Sequence, residues 1–186
     1  MSEATGLHAD YLVDIRRTYR NYRKLAESAI AQLADDQLRA PLGSEDNSIA
    51  IIMQHVAGNL QSRFRDFLTS DGEKPDRNRD AEFDPRHETR DSLMTAWNSA
   101  WETVLNELDQ LTPQRLEQTV HIRGEAFAVV EALNRSVTHT AYHVGQIVFL
   151  AKHLAEPAWT SLSIPKGQSA NYSTGSFKQG IVPPRA

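Results

Sequence analysis

Apolar residues recur three and four positions apart along four stretches of the chain, which is the spacing of one face of an α-helix. Thr112 and Pro113 end the third stretch, and Pro41 and Gly43 separate the first two. We therefore predict four helices and a C-terminal tail, at about residues 8–33, 48–70, 89–111, 127–154 and 155–186.

The connections between these helices differ in character. The linker from Gly72 to His87 is long, polar and charged. Between the third and fourth helices, Val120 and Ile122 alternate with polar residues and Gly124 could turn the chain. The pattern does not decide the structure of this segment, and a short extended piece is one alternative.

Four amphipathic helices cannot bury their apolar faces alone, so the pattern favours an all-α four-helix bundle. We expect a single domain over 1–186, with a helix 2–3 linker long enough to permit a crossover. The tail is rich in Ser, Gly and Pro but also carries large apolar side chains, so we expect it to be partly ordered and docked on the bundle or on a second copy. Those side chains are Trp159, Leu162, Ile164, Tyr172 and Phe177.

Charge and composition restrict the partners. With 20 Lys and Arg against 24 Asp and Glu, the formal net charge is −4, which does not favour a nucleic-acid partner. Four arginines do cluster around the second helix and linker, but acidic residues lie among them, and we interpret the stretch as a mixed, solvated surface. These are Arg63, Arg65, Arg77 and Arg79.

No apolar run approaches the roughly 18 residues that a membrane span requires. The N-terminus lacks a basic region followed by an apolar run, which a signal peptide would show. A cytoplasmic protein without a membrane partner is the expectation. The chain has no cysteine, so a metal site would use His, Asp, Glu or backbone ligands.

His139 and His143 form the first candidate site. Their i, i+4 spacing puts both side chains on one face of the fourth helix, close enough to reach one metal ion. They border its predicted apolar stripe, in which Val137, Ala141 and Val144 are central. Two neutral imidazoles in that partly buried position need partners, and a metal ion would satisfy both.

His55 is the candidate third ligand, in the apolar segment 51–56 of the second helix. The alternative is a core histidine bonded to a backbone carbonyl. One histidine from one helix and two from another is a common way to build a site inside a bundle. Three neutral donors leave coordination positions open, which is typical of catalytic sites.

Three further residues are candidates for supporting the ligands or contacting a substrate: Asn59, Tyr142 and Gln146. Ordinary polar residues at helix interfaces are the competing interpretation. A di-iron bundle would need Glu-x-x-His pairs, and a zinc protease would need His-Glu-x-x-His. Neither pattern occurs, so no general base or other catalytic residue is identified.

Several segments resemble the DinB/YfiT-like superfamily of metal-binding four-helix bundles, and within it a subfamily of unknown function. The resemblance covers most of the chain. It is carried by segments 55–60, 71–80 and 164–169, and most specifically by 131–147 with His139, His143 and Gln146.

The resemblance implies a zinc or nickel ion on one histidine of helix two and a His-x-x-x-His pair of helix four, here His55, His139 and His143. It also implies a bundle that is not simply up-down-up-down, and a homodimer. Some relatives are S-transferases or isomerases that use low-molecular-weight thiols.

Two functions follow as hypotheses. The first is an enzyme in which one divalent metal ion activates a thiol or a water for attack on a small electrophile, in an S-transferase-like or hydrolase-like reaction. The second is a non-catalytic, stress-related protein in which the metal or a bare histidine cluster stabilises the bundle or a dimer.

Overall fold

The computed structural model describes residues 2–84 and 88–171. Over these residues the chain forms four α-helices and one two-stranded antiparallel sheet, which confirms the predicted four-helix class. In chain order the elements are α1 (Ser2–Ile30), α2 (Ile49–Phe64), α3 (Arg90–Gln110), β1 (Thr119–Ile122), β2 (Glu125–Ala128) and α4 (Val129–Ala155).

Side-chain caps begin two of the helices, close to their predicted starts at about residues 48 and 89. Ser48 Oγ accepts a hydrogen bond from Ile51 N at 3.4 Å at the start of α2. Thr89 Oγ1 accepts one from Ser92 N at 3.1 Å at the start of α3. Each cap satisfies a backbone N–H that the first turn of a helix leaves without a partner.

The bounds of α2 and α4 differ from the prediction. Helix α2 ends at Phe64 instead of near residue 70, because Arg65 is extended and Asp66 adopts a φ of 52°. Helix α4 begins at residue 129 instead of 127, because Phe127 and Ala128 belong to β2. The Glu131 side chain accepts the N–H of Ala128 at 2.8 Å at this junction.

The helices pack in an order that differs from their order in the chain. Helix α1 packs against α3 and α4, and α2 packs against the same two helices. Helices α1 and α2 are therefore diagonal to each other, and so are α3 and α4. Each of these consecutive pairs is joined across a diagonal of the bundle, which places α2 beside α4 and prepares a site between them.

The buried face of α4 is rotated relative to the predicted stripe, toward His139 and His143. Ser136 and Thr140 are buried, whereas Val137 and Ala141 are only half-buried. Thr140 can be buried because its hydroxyl donates to Ser136 O at 2.9 Å, so the polar group keeps a partner. Small hydroxyl residues thus lie beside the histidines where the pattern predicted apolar ones.

The segment left open between α3 and α4 is a β-hairpin. Strands β1 and β2 pair with Thr119 opposite Ala128 and Ile122 opposite Glu125. The two residues between them, Arg123 and Gly124, have φ values of 57° and 78°. Two positive φ angles in a two-residue loop are the mark of a type I′ turn, which suits the twist of a hairpin.

Asp71 ties the linker to this hairpin turn. Its carboxylate accepts the backbone N–H of Glu73 at 2.7 Å and those of Arg123 and Gly124 at 2.8 Å each. Gly72 N also donates to His121 O at 2.8 Å. The N–H groups of Glu73, Gly124 and Arg123 lower the pKa of Asp71 to about 2, so the carboxylate is charged and holds the linker in place.

Asp71→Ala is expected to lower the free energy of unfolding by about 1–2 kcal/mol, the range for losing a side-chain cap. Because the pKa of Asp71 in the folded chain lies below the usual 3.8, its contribution is present above that pH and declines as pH falls toward 2. Urea unfolding should therefore show a smaller difference from wild type at pH 3 than at pH 6. Asp76→Ala is the control, since Asp76 pairs only at the surface. A difference that does not change with pH would contradict this role.

The tail begins against the bundle. Gln32, just after α1, exchanges two hydrogen bonds with the backbone of Thr160, at 2.7 and 3.1 Å. Trp159 and Leu162 are partly buried against the core. Tyr172 and Phe177, whose docking was also predicted, lie outside the described residues.

None of the described helices combines the length and the apolar character that crossing a bilayer requires.

Candidate metal centre

Three histidine rings meet where α2 lies beside α4. His55 comes from α2, and His139 and His143 come from successive turns of α4. His139 Nε2 lies 3.2 Å from His55 Nε2 and 3.2 Å from His143 Nε2. One ring nitrogen from each residue thus converges on a common point, with all three within 4.8 Å of one another.

His55 is held by a carboxylate from the linker. The ring is 4% exposed, and its Nδ1 lies 2.9 Å from Glu82 Oε2. The Phe83 ring packs against it with centroids 4.6 Å apart. Because an ionised carboxylate can only accept, Nδ1 carries the proton and the lone pair of Nε2 faces α4. A carboxylate behind a histidine is the common way to orient a metal ligand.

Glu82 is itself fixed by an arginine. Arg77 donates to both carboxylate oxygens, from Nε at 2.8 Å and from Nη2 at 2.9 Å, and both side chains are buried. Burial raises the pKa of Glu82, but the hydrogen bonds from His55 and Arg77 outweigh it and the net shift is downward. Glu82 is therefore an anion that holds the proton of His55 in one position.

Gly58 leaves the space that the Glu82 carboxylate occupies. A Cβ at position 58 would lie 2.3 Å from Glu82 Oε1 and 2.7 Å from its Cδ. The carboxylate cannot swing away without losing its bonds to Arg77 and His55. A glycine in the middle of a helix costs about 1 kcal/mol relative to alanine, and here it permits a buried contact.

Gly58→Ala is therefore expected to destabilise the fold and to weaken metal binding, although alanine is the better helix former. Gly145→Ala, on the exposed side of α4, is the matched control because a Cβ there meets nothing within 4 Å. The control should be neutral or stabilising by up to about 1 kcal/mol. Thermal unfolding and zinc titration of both variants check this, and equal behaviour of the two would contradict the packing argument.

His143 has its own supporting side chain. Its Nδ1 lies 2.8 Å from Gln146 Oε1, one turn further along α4. With the amide oxygen accepting, Nδ1 carries the proton and Nε2 presents its lone pair to the cluster. Burial lowers the pKa of His143; the hydrogen bond to Gln146 opposes this shift and the nearby His55 reinforces it.

Burial, with His143 and His55 close by, lowers the pKa of His139 to about 4. The ring is therefore neutral at physiological pH, which is the form that can bind a metal ion.

The donor set fits a metal ion. His55 Nε2 and His143 Nε2 both present lone pairs toward His139 Nε2, and a single N–H at His139 can satisfy only one of them. Tetrahedral ligands at ~2.0–2.1 Å from one ion lie ~3.3 Å apart, close to the two separations of 3.2 Å seen here. The arrangement suits an ion better than it suits three imidazoles bonded to one another.

The other two predicted supporting residues lie nearby without contacting a ligand nitrogen. Asn59 is buried on α2 and lines the cavity beside His55. The Tyr142 ring packs edge-on against His143 with centroids 5.0 Å apart, but Tyr142 is 63% exposed.

A cavity of about 450 Å³ opens beside His55 and His139, between α2, α4, the linker and the hairpin. Five arginines line it: Arg63, Arg77, Arg79, Arg123 and Arg135. The interpretation of the arginine stretch as a solvated surface is therefore wrong for Arg63 and Arg77. Their side chains are only 13% and 5% exposed, because the linker folds back over α2.

Sequence reasoning missed Glu82 and Arg77, which support His55. They lie in a polar linker without periodicity, and Glu82 is 27 positions from the histidine that it contacts. One signal was present: Gly58 stands on a buried helix three residues after His55, where a glycine needs a packing reason.

Comparisons with known proteins agree with this architecture. A family model described as "Protein of unknown function (DUF1572)" matches residues 6–168. The structure is similar to the crystal structure of a DinB-like protein, YjoA, from Bacillus subtilis, with a TM-score of 0.53 and 14% sequence identity. The match covers 80% of this chain and 96% of that one. No curated protein matches.

Proposed function

The chain belongs to the DUF1572 family, and from that membership and the site geometry we propose that it is a metal-dependent enzyme with one divalent ion on three histidines. The observation that carries the proposal is the convergence of His55, His139 and His143 beside a cavity whose wall includes His55 and His139. At about 450 Å³, that cavity has the size of a small-molecule site.

His55, His139 and His143 would hold the ion, and zinc or nickel is the proposed identity, since imidazole suits both. When bound, the ion would supply a Lewis acid that makes a thiol or a water more acidic and so a better nucleophile. Three protein donors would leave at least one position on the ion open, which supports a catalytic role over a closed structural site.

The protein's own residues perform the remaining tasks. Glu82 and Gln146 fix the protons of His55 and His143 on the Nδ1 side, so both Nε2 atoms point inward. Burial keeps His139 neutral. The cavity admits a small electrophile beside the site and limits its contact with bulk water. The reaction proposed is attack by a thiol or a water on that electrophile.

Two measurements on untagged protein test the proposal. Elemental analysis should find about one zinc or nickel ion per chain. The loaded protein should then accelerate reactions between low-molecular-weight thiols, or water, and a panel of model electrophiles, relative to the free ion. Absence of a bound ion would overturn the proposal. So would a bound ion without turnover across the panel, combined with a large fall in melting temperature on chelation, which is the expectation for a purely structural site.

A further inference from the structure

The cavity beside the histidines is lined mainly by positive charge. Five arginines face it, and Glu125 is the one carboxylate among its lining residues in the described part of the chain. Like charges gathered around a small cavity repel one another and concentrate anions from solution. The question is which of these guanidinium groups already have anionic partners.

Three of the arginines share carboxylates from the protein. Glu73 lies 3.0 Å from Arg63, 3.2 Å from Arg123 and 3.5 Å from Arg77. Glu82 accepts two further hydrogen bonds from Arg77. Arg63 also donates to the backbone oxygen of Gly72. These contacts build the wall of the cavity and orient His55.

Arg79 and Arg135 lack the close carboxylate partners that the other three cavity arginines have. Arg79 approaches the exposed Asp80 at 3.8 Å, a weak surface pair. Arg135 projects from α4 and lies 5.9 Å from the centroid of the Phe127 ring. Within residues 2–84 and 88–171, no carboxylate lies within ion-pair distance of Arg135. It is therefore the cavity arginine whose charge and hydrogen-bond donors remain available to a ligand.

The charges of the five cavity arginines and of the carboxylates near them do not cancel. Five guanidinium groups face four carboxylates, counting Glu73, Glu82, Glu125 and Asp80, so one positive charge remains. A divalent ion on the neighbouring histidines would raise the surplus to three. Such a cavity favours an anion over a neutral or cationic molecule.

Two uncharged polar side chains, Ser136 and Asn59, also line the cavity wall. Ser136 Oγ is buried next to the Tyr19 hydroxyl, which interacts with it without good hydrogen-bond geometry. The Asn59 side chain, 8% exposed, makes no hydrogen bond within the described part of the chain. Buried polar groups are normally paired, so Asn59 is the uncharged side chain of this cavity that is available to a polar ligand.

We propose that this cavity binds a small anionic substrate or cosubstrate, whose carboxylate or phosphate group bonds to Arg135 and whose reactive end reaches the histidine cluster. Arginine suits both groups because its planar fork donates two parallel hydrogen bonds. Asn59 contacts the uncharged part of the same molecule. The proposal rests on the proposed function, since the anion is placed to react at the metal that the histidines would hold.

Calorimetric titration tests this with three probes: succinate for a dicarboxylate, inorganic phosphate for a phosphate, and succinamide as the neutral counterpart of succinate. Zinc-loaded and metal-free protein each receive all three probes. We expect at least one anion to bind both forms with one site per chain, more weakly at high ionic strength, and succinamide not to bind. Which anion binds better distinguishes a carboxylate from a phosphate ligand.

Arg135→Gln should weaken binding of that anion by about tenfold or more, the usual effect of losing one charged hydrogen bond. Arg115→Gln, an exposed arginine outside the cavity, should leave it unchanged. Both variants should keep the wild-type melting temperature and zinc content, which separates loss of the ligand contact from loss of the fold.

The remaining outcomes are decisive. Zinc binding without any anion binding would overturn this inference and leave the proposed function standing. Anion binding that depends on Arg135, in a protein that takes up no zinc, would overturn the proposed function and leave the anion site standing. Binding that disappears with the metal but is unaffected by Arg135→Gln would show that the anion is only a ligand of the ion, and would also overturn the inference.

Discussion

Replacing His139 by alanine is expected to abolish zinc binding at the three-histidine site. His139 Nε2 lies 3.2 Å from the Nε2 atoms of both His55 and His143, so it is the central donor of the cluster. Its loss leaves two donors, which are too few for a tight site. The affinity should fall by more than the ~10–100-fold that loss of a merely supporting residue costs. Competition with a chromophoric chelator measures the change.

His153→Ala is the matched control, because His153 is exposed in the last turn of the same helix. Added zinc should raise the melting temperature of wild type and of the His153 variant, since a ligand that binds only the folded state stabilises it. The His139 variant should show no such rise. One zinc per chain bound at wild-type affinity in His139→Ala would exclude the proposed ligand set.

Glu82→Gln is expected to lower both the free energy of unfolding and the affinity for zinc. Glutamine keeps the shape of the side chain but cannot neutralise Arg77, which is 5% exposed. Removing one charge of a buried pair costs about 3–5 kcal/mol, and we expect the lower end because Glu73 also lies 3.5 Å from Arg77. Zinc affinity should fall by about 10–100-fold as the hold on His55 Nδ1 weakens.

Asp80→Asn provides the comparison for this variant. Asp80 lies in the same short 3₁₀ turn as Glu82, but its side chain is 99% exposed. Its replacement should change neither the free energy of unfolding nor the zinc affinity measurably. Urea denaturation and zinc titration of both variants give the two numbers. A Glu82→Gln protein as stable as Asp80→Asn, with unchanged zinc affinity, would rule out the Glu82 contact as an orienting device.

Much of the fold was predictable because it depends on local periodicity. The helices could be located from apolar spacing. The predicted starts of α2 and α3, at about residues 48 and 89, coincide with the residues that cap these helices, because a cap acts within its own helix turn. The predicted end of α2 was six residues too late. Phe67 continues the apolar spacing after Phe64, so the pattern gave no sign that Asp66 would take a positive φ.

The hairpin between α3 and α4 was left open for a related reason. Its four-residue strands are too short for alternation to decide between strand and loop. What stabilises it includes the Asp71 carboxylate, which comes from a segment about 50 positions earlier. A contact of that range leaves no trace in a local pattern.

The sequence by itself was enough to identify the three histidines as candidate metal ligands. An i, i+4 pair on one helix and a lone histidine in another apolar helix are local facts, and the absence of cysteine leaves nitrogen and oxygen as the only donors. Only the tertiary structure decided how these residues are supported and what surrounds them. The diagonal connections place α2 beside α4. The linker then brings Glu82 against His55 and Arg77 against Glu82. It also buries Arg63 and Arg77, which the sequence pattern placed on a solvated surface. The physical reason is that a charge can be buried only where partners from distant segments of the chain pair with it, and the local spacing of residues does not show which distant segments come into contact.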